Sequence, residues 1–97
     1  MAQKAKIASY LGFARRAGKL TLGVNGVAAV RSGVYLLVCD KTASANTKKE
    51  VEKLQKRFGC PVVYVENLGE QIGAVGRMVC AVREEHLAIA IQAACKE

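Results

Sequence analysis

No acidic residue occurs before Asp40, and the 97-residue chain holds only eight in all. It has no tryptophan, one proline and a single histidine, His86, so no Cys/His ligand set is available for a metal. The four cysteines, Cys39, Cys60, Cys80 and Cys95, form no C-x-x-C pair and are spaced too widely and evenly for a zinc site. They read as reduced, structural thiols, with Cys60 the most reachable because it lies in a turn. The longest apolar run, residues 34–39, falls far short of the ~18 residues needed to span a bilayer. The opening MAQKAKIASYLG lacks the apolar core of a secretory signal, and neither end carries a lipidation motif. These absences point to a cytoplasmic protein with no membrane partner, and the length fits one domain over residues 1–97.

Positive charge is what the chain has in excess. Fifteen Lys and Arg give a net +7. Residues 1–59 contain twelve basic and three acidic side chains, whereas residues 60–97 contain three and five. A basic excess confined to one part of a small chain is the footprint expected for nucleic acid, and more weakly for an anionic membrane. Composition alone is equally consistent with RNA and DNA.

Helical and strand patterns alternate along the sequence. Residues 3–17 place Ile7, Leu11 and Ala14 on one helical face, with Arg15 and Arg16 in the last turn before Gly18. Residues 20–22 read as a short strand and 24–32 as a second helix ended by Gly33. The stretch KLTLGVNGVAAVRSG opens that helix with Gly23, Asn25 and Gly26, with no acid nearby. A helix start presents unpaired N–H groups and the positive end of the peptide dipole, so it favours phosphate or the acceptor edge of a base. Residues 35–39, YLLVC, form a continuous apolar run typical of a central strand covered on both faces.

Thr47 followed by Glu50 fits a capping box and predicts the start of a third helix, with Val51, Leu54 and Phe58 inward. Lys48, Lys49, Lys53, Lys56 and Arg57 then face outward, either solvated or against a phosphate backbone. Gly59 and Pro61 break the helix before a buried strand at 62–65. Leu68, Ile72 and Val75 have helical spacing, and Gly69, Gly73 and Gly76 among them would permit tight packing but match no phosphate-loop pattern. A strand at 78–82 and a helix at 84–95, with Leu87, Ile91 and Ala94 inward, complete the chain. The alternation predicts an α/β fold, one sheet of about four strands between helical layers, with parallel pairing where a helix joins neighbours. Strand order leaves no signature in the pattern.

Three blocks, LGFARRAGKLTLG, VYLLVCDKTASANTKKEVEKL and CPVVYVENLGEQIG, resemble in order and spacing the kink-turn-binding ribosomal-protein family of the L-seven-Ae and L-thirty-e type, and its bacterial YlxQ-like branch most closely. The resemblance runs from about Ala8 to the last helix. It implies a three-layer α/β/α sandwich with one mixed sheet and binding of structured RNA without catalysis. It also implies no cofactor, no metal and no small-molecule substrate, with ribosomal or other non-coding RNA as partner and the ribosome as a candidate host. The family's second-helix motif is Gly-Thr-Asn-Glu-x-x-Lys. Gly23 and Asn25 match it, Val24 replaces the threonine, Gly26 the acid and Ala29 the lysine. The last two changes remove an acceptor for a base donor and one charge-assisted phosphate contact.

By the same resemblance, Val65, Glu66 and Asn67 form a loop that packs apolar atoms against a splayed base. Lys41 and Thr42 stand where the family carries an acidic pair. The implied RNA face is therefore Lys19, Gly23, Val24, Asn25, Gly26, Lys41, Val65, Glu66 and Asn67, with Arg15, Arg16 and Arg31 as phosphate contacts. RNA is favoured over DNA because the resemblance points there, and because distorted RNA exposes base edges to side chains. Two other classes compete. Asp40 and Glu66 lie at strand ends, where α/β enzymes place acids, yet no nucleophile with a partner base accompanies them. A protein-interaction adaptor that keeps the fold with weakened RNA binding is the other alternative, favoured by the altered motif.

Overall fold

A computed structural model describes residues 4–96. Nine elements follow one another: α1 (Lys4–Arg16), β1 (Leu20–Leu22), α2 (Val24–Ala29), β2 (Leu36–Asp40), α3 (Ala45–Phe58), β3 (Val62–Val65), α4 (Leu68–Gln71), β4 (Val79–Val82) and α5 (Glu85–Lys96). The four strands form one mixed sheet in the order β1-β4-β2-β3. Only β2 and β3, joined by α3, run parallel; β4 inserts antiparallel between β1 and β2.

Side-chain alternation along the strands divides the core in two. Leu36, Val38, Cys80 and Val82 face α1, α4 and α5, where they meet Ile7, Leu11, Leu68 and Ile91. Leu37, Cys39, Val79 and Ala81 face α2 and α3 and meet Val27, Val51 and Leu54. The result is an α/β/α sandwich, and Leu36, Leu37, Val38 and Cys39 of β2 are fully buried at its centre as the apolar run predicts, with the buried Asp40 closing the strand. Among the described residues no helix is long and apolar enough to cross a membrane.

Several local expectations are corrected. Gln3, the expected start of the first helix, lies outside the described residues. The second helix stops at Ala29, because Val30 turns extended and the Arg57 guanidinium donates to the carbonyls of Ala28 and Val30 at 2.8 and 2.6 Å. Those carbonyls are satisfied without a further helical turn. The third helix starts two residues early: Ser44 is its cap, its hydroxyl oxygen accepting from the Thr47 N–H at 3.1 Å, while Glu50 reaches Lys53 instead. Glu84 caps α5 from outside, its carboxylate accepting from the Leu87 N–H at 2.6 Å.

The stretch after β3 departs most. α4 is only four residues, Gly73 and Gly76 take positive φ, and Val75 is 87% exposed and so is no core residue. Gly69 lets the chain fold back on itself, since a Cβ there would sit 2.9 Å from the Ala74 carbonyl oxygen. β3 is an edge strand, so only Val65 of its four residues is buried. Tyr35 and Met78 fall outside the strands and are exposed. Cys60 is buried beneath the turn, because Pro61 accepts the Leu37 N–H and draws the turn onto the sheet; Cys95 is the half-buried thiol.

Candidate nucleic-acid interface

The strand register brings four chain segments to one end of the sheet. The Gly23 N–H donates to Val79 at 2.8 Å, Asp40 to Met78 at 2.8 Å, and Lys41 to Val65 at 2.8 Å, in each case to the carbonyl oxygen. The start of α2, the loop after β2, the loop after β3 and the turn before β4 are thus neighbours. The N-termini of α2, α3 and α4 all open toward this end.

Asp40 holds two of these loops together. It is 4% exposed, and its Oδ1 accepts from the Thr42 N–H and hydroxyl at 2.8 and 2.7 Å while Oδ2 accepts from the buried Leu68 N–H at 3.0 Å. Burial pushes its pKa upward, but the Thr42 hydroxyl, the Thr42 N–H and the Leu68 N–H outweigh it and hold the carboxyl below its ordinary value. Lys41 and Glu66 face each other at 3.7 Å, both more than half exposed, which makes the pair weak and solvent-screened.

Gly23 has φ 81° and ψ 152°, a conformation open in practice to glycine alone. A Cβ there would meet the Arg77 guanidinium at 3.1 Å, so the arginine lies directly over the helix start. Asn25 is exposed in the first turn, and no hydrogen bond involves its side chain among the described residues. Gly26 leaves room for the Thr21 methyl, which would stand 3.3 Å from a Cβ. Gly26 thereby serves close packing of α2 on β1, a role an acid could not fill without displacing Thr21.

The remaining expected residues divide by position. Val24 is half-buried against the α2–α3 side of the core, and Val65 is 5% exposed within the opposite core cluster, so Val65 has no apolar surface to offer a base. Exposed apolar atoms at this end belong instead to Val75 and Met78, which with Arg77, Asp40, Thr42 and Asn67 line a hollow of about 170 Å³. Asn67 adopts the left-handed region at φ 53°, which asparagine tolerates better than most residues. Glu70 lines the smaller hollow too, but together with Arg77; a larger hollow of about 360 Å³ between the start of α1 and α4 is lined by both Glu66 and Glu70 with no basic side chain among the described residues, which disfavours phosphate.

Lys19 is not at this end. Its carbonyl accepts the Arg83 N–H at 2.8 Å, which puts it at the far end of β1, about 13 Å of extended chain from Gly23. Arg31 follows α2 on the segment leading to the far end of β2. Arg15 donates to the Ile72 carbonyl, and the Arg16 guanidinium lies 5.0 Å over the Phe13 ring. The resemblance groups these cations with the helix start; the fold separates Lys19 and Arg31 from it. Arg77, which the sequence did not single out, takes their place. Its one signal is the glycine before it, which leaves the turn free to project the side chain.

No protein-family model and no curated protein matches the chain. Among solved structures, the Giardia lamblia 15.5kD RNA binding protein superposes with a TM-score of 0.66 over 96% of this chain and 84% of its own, at 13% identity. That likeness is one of fold. A protein with unknown function from Bacillus halodurans superposes with a TM-score of 0.80 over 96% of this chain and 99% of its own. At 31% identity over that span, the chain belongs to the same family as the Bacillus halodurans protein.

Proposed function

We propose that this chain binds structured RNA of the kink-turn type, ribosomal or other non-coding, through the sheet end where α2 begins. The observation that carries the reading is Asn25, exposed in the first turn of α2 with its amide uncommitted, beside a glycine start overlain by Arg77. An asparagine amide pairs a donor with an acceptor and so suits a base edge, while Arg77 and Lys41 supply cations for the backbone. The net charge of +7 and the shared fold of an RNA-binding neighbour support the same reading. Val75 and Met78 offer the apolar surface for an unstacked base. A binding role without catalysis is supported by Asp40, whose two oxygens are committed to Thr42 and Leu68.

The test is a gel shift with a kink-turn RNA and a duplex of equal length across a salt series. The kink-turn RNA is expected to bind more tightly, with affinity falling as salt rises. Asn25→Ala should weaken the kink-turn complex by roughly 1–3 kcal/mol and leave the duplex complex unchanged. Equal affinity for the two RNAs defeats the kink-turn reading. Absence of RNA binding at low salt defeats the whole, and favours the adaptor role.

A further inference from the structure

α3 carries charge that this site does not use. Val51 and Leu54 bury its inner side, while Lys49, Lys53 and Lys56, spaced four and three residues apart, stand exposed in one outer row about 10 Å long. The two acids of α3 lie to either side of it. Glu50 faces Lys53 at 3.4 Å from the α2 side, and Glu52 lies toward β3, where its charge acts on Tyr64. Arg57 fastens α3 to the carbonyls of Ala28 and Val30, which brings the exposed Arg31 beside the far end of the row. The helix leaves the Asp40–Ala43 loop at Ser44 and runs about 21 Å, nearly the depth of the molecule.

Resting on the RNA-binding reading above, we infer that the outer row of α3, Lys49, Lys53 and Lys56 extended by Arg31, is a second phosphate-contact surface that holds a double-helical arm of the bound RNA by its backbone. The row begins beside the site and leads away from it, as an arm emerging from a held turn would. Its composition separates nucleic acid from other anionic partners. None of the large exposed apolar residues, Phe13, Tyr35, Tyr64, Val75, Met78 and Ile89, lies on α3. A protein interface needs an apolar centre and a membrane surface needs apolar residues to insert, whereas phosphates need only cations.

The test compares the wild type with a Lys49→Gln/Lys53→Gln/Lys56→Gln variant on two RNAs: a kink-turn with a long duplex arm, and the same turn with that arm cut to a few base pairs. On the long-arm RNA, wild-type affinity should fall roughly 40-fold more than the variant's between 50 and 200 mM salt, as three lost phosphate contacts require. On the trimmed RNA the two proteins should bind alike. A Lys→Arg triple variant should keep the wild-type salt dependence, and thermal melts confirm that each variant folds. Equal salt dependence of wild type and Gln variant on the long-arm RNA overturns the inference and leaves the row to an acidic protein segment. An equal change on both RNAs overturns it too, because the row would then touch the turn itself. If the kink-turn shows no preference, a plain duplex still reads the row, so the two failures are distinguishable.

Discussion

Replacing Asp40 with alanine removes the acceptor of three hydrogen bonds at once. Thr42 is exposed and can turn to water, so its share of the loss is about 1.5 kcal/mol. Leu68 is fully buried, and its N–H is left without a partner at a cost of roughly 1–3 kcal/mol. The sum, about 3 kcal/mol, corresponds to a fall in Tm of roughly 12–24 °C for a domain of this size. Circular dichroism melts at neutral pH measure it. Acid supplies an independent check. The folded-state pKa of Asp40 lies below its ordinary 3.8, so its stabilisation is present above that value and lost as pH falls through the folded pKa. Glu84, held low chiefly by the Leu87 N–H, acts in the same direction, so wild type and Asp40→Asn must be compared rather than either read alone. The variant should lose less stability than the wild type on passing from pH 5 to pH 2. An Asp40→Ala Tm within 3 °C of wild type, or identical acid limbs in wild type and Asp40→Asn, refutes the reasoning.

Gly23→Ala should lose roughly 1–3 kcal/mol of stability to backbone strain and also weaken RNA binding, because the new methyl meets the Arg77 guanidinium. Gly33→Ala, at φ 82° with nothing within 4 Å, is the control; it should lose stability and keep RNA affinity, and equal affinity losses in both variants would show that Arg77 over Gly23 is irrelevant. In the native protein at pH 8 a thiol reagent should modify Cys95 first, since burial raises all four thiols and leaves Cys39, Cys60 and Cys80 shielded. Two or more fast-reacting thiols per chain would contradict the core described for Cys39, Cys60 and Cys80.

Periodicity made the layers legible. The VYLLVC run could be satisfied only with apolar cover on both sides, and the Ile7, Leu11 and Ala14 stripe fixed the inner face of α1. Local chemistry was less decisive. Ser44 with Thr47 and Thr47 with Glu50 have the same capping spacing, and the extended backbone at Ser44, set by its link to the sheet, selected the first. Leu68, Ile72 and Val75 carry a helical period, but Gly73 at φ 69° ends the turn before Val75. The site suffered most, because it is assembled across the sheet. Gly23 and Arg77 are 54 positions apart, and they meet through the insertion of β4 between β1 and β2, which no local pattern encodes. Lys19 and Gly23 are four positions apart and point to opposite ends because one short strand separates them.

The strand order β1-β4-β2-β3 also sets when this surface can exist. β4 is the last strand to be synthesised, yet it bridges the first two, and its flank supplies the carbonyls of Met78 and Val79 that fix Asp40 and Gly23. Until residues 78–82 have emerged, β1 has no strand beside it, and the α2 start has no fixed relation to the loops after β2 and β3. A nascent chain halted between β3 and β4 carries most of the basic charge but no assembled surface to aim it. Under the proposed RNA-binding role, sequence-independent attraction to RNA is expected to precede selective recognition during synthesis, with the last strand converting one into the other.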